Sequence, residues 1–378
     1  MTQRNHIDLV LLLAVMVLMV LSVGIVYSAS STWALEKYKD SGELMGRHLV
    51  KVLMGFVAIF ITMHIDYRML KGFSKTGILV SVGLLVLTLM LGGETKGATR
   101  WIRFGAIGFQ PSELAKYALL IHISTLLSEK KERISDYTTG FLPVLVWIGT
   151  VTVLVLAQPN FSNGVMIVVI GVVMLFIGRA RFKHMALTLM PFVLLLGIYM
   201  VSAEYRLRRI ASFLSGTGEG GRMNYQLYQG IIGFGNGGLF GLGPGESRQR
   251  DLFLPESYGD FVFSIVGEEY GLVGTIFFLI LFVTIMLRGM RIARYARDSF
   301  GRFLAVGITV CITLYALVNA CVALGILPTT GLPMPFVSYG GSSMLFSAVA
   351  IGILLNISSQ TDMFPRVVHA SDEGLARA

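Results

Sequence analysis

The sequence predicts an all-α, polytopic integral membrane protein with about ten transmembrane helices. Its 378 residues are 54% hydrophobic and only 14% charged. The mean hydropathy of +0.72 is also too high for an ordinary soluble enzyme of this size. A membrane-spanning helix needs about 20 apolar residues, so ten spans would use roughly 200, which agrees with the hydrophobic fraction. This composition excludes a disordered chain, a secreted disulfide scaffold and a cytosolic fold.

Ten apolar runs with few charges are predicted to be these helices. They cover residues 9–27, 49–65, 77–91, 114–127, 141–157, 164–177, 185–201, 261–287, 303–327 and 344–357. A signal peptide is the alternative for the first run, which is longer than a typical signal core and follows little positive charge. We therefore expect one transmembrane domain over residues 1–358 and a cytoplasmic tail over 359–378. A large extracytoplasmic loop, at about 202–260, is expected between spans 7 and 8.

The basic residues predict how the spans are oriented. If the N-terminus is cytoplasmic, the cytoplasmic connections contain Arg68, Lys71, Lys75, Lys130, Lys131, Arg133, Arg179, Arg181, Lys183, Arg288, Arg291, Arg294, Arg297 and Arg302. The connections on the other side that follow the fifth and ninth spans contain none. Because Lys and Arg collect on the cytoplasmic side of membranes, both termini are expected there. The net charge of +9 then reflects orientation, and no nucleic-acid binding is expected.

The predicted extracytoplasmic loop contains an unusual density of glycine. Twelve of the 30 residues from Gly216 to Gly245 are glycine. This density predicts a non-helical segment that folds closely against a polar headgroup, with a flexible linker as the alternative. Aromatic and amide side chains at helical spacing argue against a linker, and we expect three of them, Tyr225, Gln226 and Gln229, to contact the substrate.

Carboxylates lie at the start of the eighth span, in the stretch 254–269. Ionised groups in a membrane cost several kcal/mol unless they are paired or hydrated, so a functional role is the default interpretation. Asp260 is expected at the outer aqueous boundary, and a helix N-cap is its alternative role. Glu268 lies deeper in the span, where a structural role is expected.

A second group of charges opens the fourth span, in the stretch 97–116. Arg100 and Arg103 provide cations close to the outer surface, as a diphosphate-binding site requires. Glu113 and Lys116 are three residues apart, so they share a helix face and can neutralise each other inside the bundle. A purely structural ion pair is the alternative for these two residues.

A third polar stretch, 327–343, lies between the last two spans and has a non-helical composition. Backbone of this kind is tolerated at a membrane only where it lines a wet cavity or lies at the interface. The segment is therefore predicted either to line a wet cavity or to lie at the membrane interface.

Together these three stretches resemble signatures of the SEDS family (FtsW/RodA/SpoVE), and the resemblance extends over essentially all ten spans. It is closer to the division members than to the elongation members. The resemblance implies a peptidoglycan glycosyltransferase that polymerises lipid II outside the bacterial cytoplasmic membrane and releases undecaprenyl diphosphate. It also implies a class B penicillin-binding protein and other division-complex membrane proteins as partners, and a location at the division septum.

The resemblance also assigns residues. Asp260 matches the essential aspartate, Glu113 and Lys116 match the charged pair of the fourth span, and Arg100 matches an arginine beside the cavity. Arg100, Arg103, Glu113, Lys116 and Ser338 are expected to bind the substrate or its diphosphate. Further positions are expected to shape the cavity: Gly243, Pro255, Glu256, Glu268, Pro328, Gly331, Pro333, Gly340 and Gly341. The chain departs from the family pattern at Asn160, where an aspartate is usual, and at Gly259, where threonine is frequent.

The expected reaction needs one base. The 4-hydroxyl of lipid II attacks the anomeric carbon of the growing glycan strand, and Asp260 is the candidate that accepts its proton. A diphosphate leaves without protonation if its charge is neutralised, so a second carboxyl group is not required. A divalent cation, Mg²⁺ or Mn²⁺, is a candidate cofactor held jointly by the substrate phosphates and Asp260. The alternatives are an elongation polymerase, a lipid II flippase or a scaffold that recruits a transpeptidase.

Overall fold

The computed structural model describes residues 6–91, 93–95, 98–104, 107–201, 207, 213, 222–249 and 258–361. Two residues expected to shape the cavity, Pro255 and Glu256, lie outside the described residues, as does almost all of the predicted C-terminal tail. The backbone of Arg100 and Arg103 is described, but their side chains are not.

Eleven α-helices make up most of the described chain. They are α1 Leu9–Tyr38, α2 Glu43–His64, α3 Met69–Leu91, α4 Pro111–Lys130, α5 Leu142–Ala157, α6 Phe161–Ile177, α7 Phe182–Val201, α8 Arg222–Gly237, α9 Val262–Tyr295, α10 Ser299–Ala323 and α11 Gly341–Ser359. A short 3₁₀ turn, Lys131–Ser135, and a π turn, Tyr137–Phe141, precede α5. The predicted all-α class is confirmed.

The helices account for all ten predicted spans. By length and composition, eight helical segments in the described residues can cross a membrane, and these contain α1, α2, α3, α5, α7, α9, α10 and α11. The remaining two predicted spans form α6, which is apolar but only 17 residues long, and α4. The chain is therefore a polytopic integral membrane protein.

Helix α4 tolerates its polar composition because it lies in the middle of the bundle. It packs against α3, α5, α6, α10 and α11. Its buried side chains include Ser112, Glu113, Lys116, Ser124 and Thr125. Neighbouring helices shield these groups from lipid, where each would be costly without a partner.

A small antiparallel sheet between α3 and α4 was not predicted from the sequence. Its strands are β1 Gly93–Thr95, β2 Ala98–Phe104 and β3 Ile107–Phe109, in that order. The Oγ of Ser342, at the start of α11, donates to the Gly108 carbonyl at 3.3 Å and accepts from the Gln110 amide at 2.9 Å. We call this end of the bundle, which also contains Asp260 and residues 324–340, the sheet end.

The opposite end of the bundle joins the first and last helices. The carboxylate of Asp8 caps α1 by accepting from the Leu11 amide at 3.0 Å, and it pairs with Arg288 of α9 at 2.7 Å. The Asp8 amide donates to the Ser358 hydroxyl of α11 at 3.1 Å. Helices α1, α9 and α11 are thereby fixed to each other at the end remote from the sheet.

Candidate active site

The glycine-rich stretch is partly helical, which corrects the sequence-based expectation. Residues 222–237 form α8, although their glycine content predicts a non-helical segment. A Cβ atom at Gly237 would lie 2.1 Å from the Gly267 carbonyl oxygen of α9, and one at Gly267 would lie 2.2 Å from the Phe234 ring. The glycines therefore allow the two helices to pack more closely than side chains would permit. This packing offsets the low helix propensity of glycine, about 1 kcal/mol per residue.

The glycines after α8 complete a break in α9. Gly271 has φ 64° and ψ −161°, so the helix is interrupted there. The carbonyls of Glu268 and Glu269 accept instead from the amides of Leu242 and Gly243, each at 3.0 Å. In an unbroken helix, the amides of Leu272 and Val273 would bond to these carbonyls. Here they donate to the carbonyls of residues 238 and 239, at 2.9 and 3.1 Å.

The segment 238–243 therefore satisfies four backbone groups that the interruption would leave unpaired. Positive φ angles at Gly238, Gly241 and Gly243 give this segment the necessary path. Gly243, expected to shape the cavity, is thus part of the junction between the glycine-rich segment and α9.

Side chains of the two glutamates hold α9 to its neighbours. The Glu268 carboxylate is fully buried and accepts from the Ser247 hydroxyl, the Gln249 amide and the Asn236 side-chain amide. The Glu269 carboxylate accepts from the Ser28 hydroxyl of α1. These contacts give Glu268 a structural environment and leave it no exposure to a substrate.

Asp260 lies immediately before α9 and is partly exposed at the sheet end. It does not cap the helix, because Phe261 occupies the N-cap position and no side chain caps there. A Cβ atom at Gly331 would lie 3.4 Å from Oδ2 of Asp260, so the carboxylate lies beside Gly331 in the segment between α10 and α11. Gly331 has a φ of +72°, which only glycine adopts readily.

Residues 324–340 are non-helical, as the sequence predicts, and form one wall beside Asp260. The Tyr339 amide donates to the Tyr258 carbonyl at 2.9 Å, and the two rings meet edge to face at 5.6 Å. Trp33 of α1 packs against Tyr258 at 5.4 Å. The backbone that leads into Asp260 is therefore held by aromatic contacts from two other elements.

Several residues expected at the site lie in or beside this wall. Pro328 and Pro333 belong to the non-helical segment, and Gly340 and Gly341 lie at the start of α11. Ser338 is 3% exposed, and its Oγ accepts from the Met334 amide at 2.8 Å. This contact stabilises the turn, so substrate binding by Ser338 stays a prediction.

Glu113 and Lys116 form the ion pair that their spacing predicts. Their side chains are 2.8 Å apart and only 3% and 5% exposed. The ammonium group also lies 4.0 Å from the ring centroid of Tyr315, whose hydroxyl donates to Asn163 Oδ1 at 2.8 Å. The charge of Lys116 is thus compensated within the bundle, and substrate binding by Glu113 and Lys116 stays a prediction.

The residues predicted to bind substrate from α8 and β2 have different environments. Tyr225 is exposed, Gln226 is partly buried and Gln229 is buried. The backbone of Arg100 and Arg103 lies in β2, at the sheet end. The structure thus brings Asp260 and the strand that contains Arg100 and Arg103 to one end of the bundle.

Sequence reasoning missed three polar residues that organise the site. Asn163 and Tyr315 extend the Glu113–Lys116 pair, and Asn319 contacts the backbone of Asp260. Tyr315 and Asn319 are four residues apart on α10, a polar pair on one helix face that helical periodicity could have identified. Asn160, the departure from the family pattern, is 5% exposed, and its Nδ2 has no hydrogen-bond partner among the described residues.

The sequence of this chain matches a known protein family along most of its length. A family profile described as cell cycle protein, FtsW/RodA/SpoVE, matches residues 8–363. The chain belongs to this family. The family assignment confirms the resemblance seen in the sequence, and the many relatives named FtsW confirm that this chain is closer to that branch.

Relatives of this FtsW/RodA/SpoVE member are similar along almost their whole length. The probable peptidoglycan glycosyltransferase FtsW of Trichlorobacter lovleyi is 40% identical over 95% of this chain and 94% of that protein. The stage V sporulation protein E of Bacillus subtilis is 37% identical over 94% of this chain and 98% of that protein.

Solved structures of similar chains have the same fold. A chain from a study of polymerization and crosslinking by a peptidoglycan synthase complex matches with a TM-score of 0.77 and 26% identity. That match covers 95% of this chain and 99% of the other. The rod shape determining protein RodA of Thermus thermophilus matches with a TM-score of 0.69 and 26% identity, over 95% and 98% of the two chains.

Proposed function

We propose that this chain is a peptidoglycan glycosyltransferase of the division type, which polymerises lipid II into glycan strands. The observation that carries the proposal is the partly exposed Asp260, held at the polar end of the bundle in a chain similar to proteins named peptidoglycan glycosyltransferase FtsW. A carboxylate at a solvent-accessible rim can reach a sugar hydroxyl while the lipid part of the substrate remains in the membrane.

In the proposed reaction, Asp260 accepts the proton of the lipid II 4-hydroxyl. The oxygen attacks the anomeric carbon of the growing strand, a new β-1,4 bond forms with inversion, and the bond to the diphosphate breaks. Undecaprenyl diphosphate leaves with the electron pair of that bond. The hydrogen bond from the Asn319 side chain to the Asp260 carbonyl supports this role because it fixes the backbone of Asp260.

The leaving diphosphate needs positive charge. Arg100 and Arg103 of β2 are the proposed ligands of its oxygens, and the Glu113–Lys116 ion pair lies buried on α4, the helix that follows the sheet. Among the described residues, no group of three or more His, Cys, Asp and Glu side chains could hold a metal ion. A Mg²⁺ or Mn²⁺ ion would therefore be bound by the substrate phosphates together with Asp260.

We place the sheet end outside the cytoplasm and both termini inside it, on the strength of the charge distribution. The proposed partners are a class B penicillin-binding protein that crosslinks the strands and other membrane proteins of the division septum. A family structure from a peptidoglycan synthase complex supports such a partner.

The rival function is a lipid II flippase, which would need a binding site near the middle of the membrane. The arrangement of polar groups favours the enzyme. Asp260, Glu113 and Asn163 all lie within two residues of the sheet-end terminus of a helix.

The test is polymerisation of lipid II by the purified protein with its class B partner. Asp260→Asn should remain folded in the membrane and lose polymerisation by at least about 100-fold, the size of effect typical of a general base. Asp40→Asn is the matched control, because Asp40 is an exposed carboxylate at the same end. Wild-type product from Asp260→Asn would refute the proposed mechanism, and headgroup exposure without polymer in proteoliposomes would support the flippase.

A further inference from the structure

Lys51 is a partly buried cation with no role in the proposed reaction. It lies on α2, about two turns from the sheet-end terminus of that helix. Its Nζ lies 3.5 Å from the ring centroid of Tyr339, a close cation–π contact. The structure thus places a positive charge against the wall that holds Asp260.

Two other cations near the sheet end, Arg47 and Lys116, have carboxylate partners, whereas Lys51 has none within the described residues. Arg47 pairs with Glu43 at 2.7 Å, and Lys116 pairs with Glu113 at 2.8 Å. No carboxylate in the described chain lies within ion-pair distance of Lys51. A partly buried ammonium group without a counter-ion is unfavourable, so this position favours binding of an anion.

The ring beneath Lys51 is rigidly supported. His48 packs against Tyr339 at 5.8 Å, and its Nε2 is hydrogen-bonded to the Ser22 hydroxyl at 2.9 Å. Tyr339 in turn is bonded through its backbone to Tyr258, two residues before Asp260. The phenol of Tyr339 is protonated at neutral pH, as in any tyrosine, and is a hydrogen-bond donor that an anion could use.

We propose that Lys51 and Tyr339 form a second phosphate-binding subsite, which holds the diphosphate of a lipid-linked sugar. This inference rests on the proposed function, because joining two lipid-linked sugars requires two lipid-linked diphosphates in one site. The cations of β2 take one of them. Lys51 approaches from α2, a different element, and its charge is not already compensated as that of Lys116 is.

Binding of undecaprenyl diphosphate to the full chain tests the subsite. The protein is reconstituted in phosphatidylcholine nanodiscs and titrated with radiolabelled undecaprenyl diphosphate. Lys51→Gln should weaken binding about tenfold, the expected loss for one charge-assisted hydrogen bond, and Lys51→Arg should retain it. Lys51→Met provides a second variant that keeps the apolar contact with Tyr339 and removes only the charge.

Lys37→Gln is the matched control. Lys37 also stacks on an aromatic ring near the sheet end, 4.4 Å from the Trp33 centroid, but it is exposed. The Lys37→Gln variant should bind undecaprenyl diphosphate as tightly as the wild type does. Unchanged binding in both Lys51→Gln and Lys51→Met would overturn the proposal.

A phospholipid headgroup offers the same phosphate chemistry. Nanodiscs that contain phosphatidylglycerol distinguish the two sources, because equal competition by that lipid would show a general anionic-lipid site and overturn the assignment. A failure of the catalytic role of Asp260 is seen as wild-type polymerisation by Asp260→Asn, whereas a failure of the Lys51 subsite is seen as unchanged binding of undecaprenyl diphosphate by the Lys51 variants.

Discussion

Asn319 donates from its side-chain amide to the backbone carbonyl of Asp260 at 2.8 Å. The same nitrogen donates to the Leu332 carbonyl, also at 2.8 Å. One side chain of α10 therefore fixes the residue before α9 relative to the segment between α10 and α11. Asn319 is 1% exposed, so no solvent replaces these bonds if they are lost.

We expect Asn319→Leu to lower kcat of polymerisation at least about tenfold with little change in KM, because Asp260 would lose its fixed position. Steady-state kinetics at a temperature where the variant is folded would measure this. Thermal unfolding should also show a loss of about 1–3 kcal/mol for the two unpaired carbonyls. A variant with this loss of stability but an unaltered kcat would assign Asn319 a purely structural role.

Removing one member of the buried ion pair should be more damaging than removing both. Lys116→Ala leaves the Glu113 carboxylate buried without a counter-ion, which costs about 3–5 kcal/mol. The double variant Glu113→Gln, Lys116→Met should recover much of this stability. Thermal unfolding in detergent compares the variants.

The exposed pair Arg47–Glu43 is the control for the buried pair, since its side chains are 49% and 37% exposed. Arg47→Ala should change stability by about 0.5 kcal/mol or less, because solvent screens an exposed ion pair. Equal destabilisation by the single and double variants of the buried pair would contradict the compensation inferred for Lys116.

Two glycines of α8 should respond oppositely to alanine. Gly237→Ala places a Cβ 2.1 Å from the Gly267 carbonyl oxygen, so α8 and α9 must separate and stability should fall by about 1–3 kcal/mol. A Cβ atom at the exposed Gly235 would meet no other atom within 4 Å, so Gly235→Ala should be neutral or stabilising by up to about 1 kcal/mol. Similar unfolding temperatures for the two variants would argue against the close packing of these helices.

Chelation should show whether the metal ion binds together with the substrate or at a structural site of the protein itself. EDTA is expected to abolish polymerisation of lipid II and leave the thermal stability of the substrate-free protein unchanged. Added Mg²⁺ or Mn²⁺ should restore activity, because the ion is proposed to bind with the substrate phosphates. A lower unfolding temperature in EDTA without substrate would instead indicate a site built from protein groups.

The glycine-rich segment shows where sequence patterns mislead. Its glycine density predicts a loop, and α8 forms because Gly230 and Gly237 lie against α9. Helix propensity describes an isolated segment, whereas the packing partner lies about 30 residues further along the chain. The Tyr and Gln spacing within the segment was the better indicator, since it has helical periodicity.

The positions of the spans, their apolar lengths and the ion pair of Glu113 with Lys116 were determined by the sequence alone. Hydropathy and spacing along one helix are local properties, so they can be read without knowledge of the partner helix. The family signatures likewise identified Asp260 as the candidate base.

Only the tertiary structure decided which groups meet at the sheet end. The Asn319 bond to Asp260 joins residues 59 positions apart, and the Lys51 contact with Tyr339 joins α2 to the segment before α11. The break at Gly271 is likewise completed by a segment from before α9. Such contacts depend on how the helices pack and where their ends coincide, which the local chemistry of the chain does not specify.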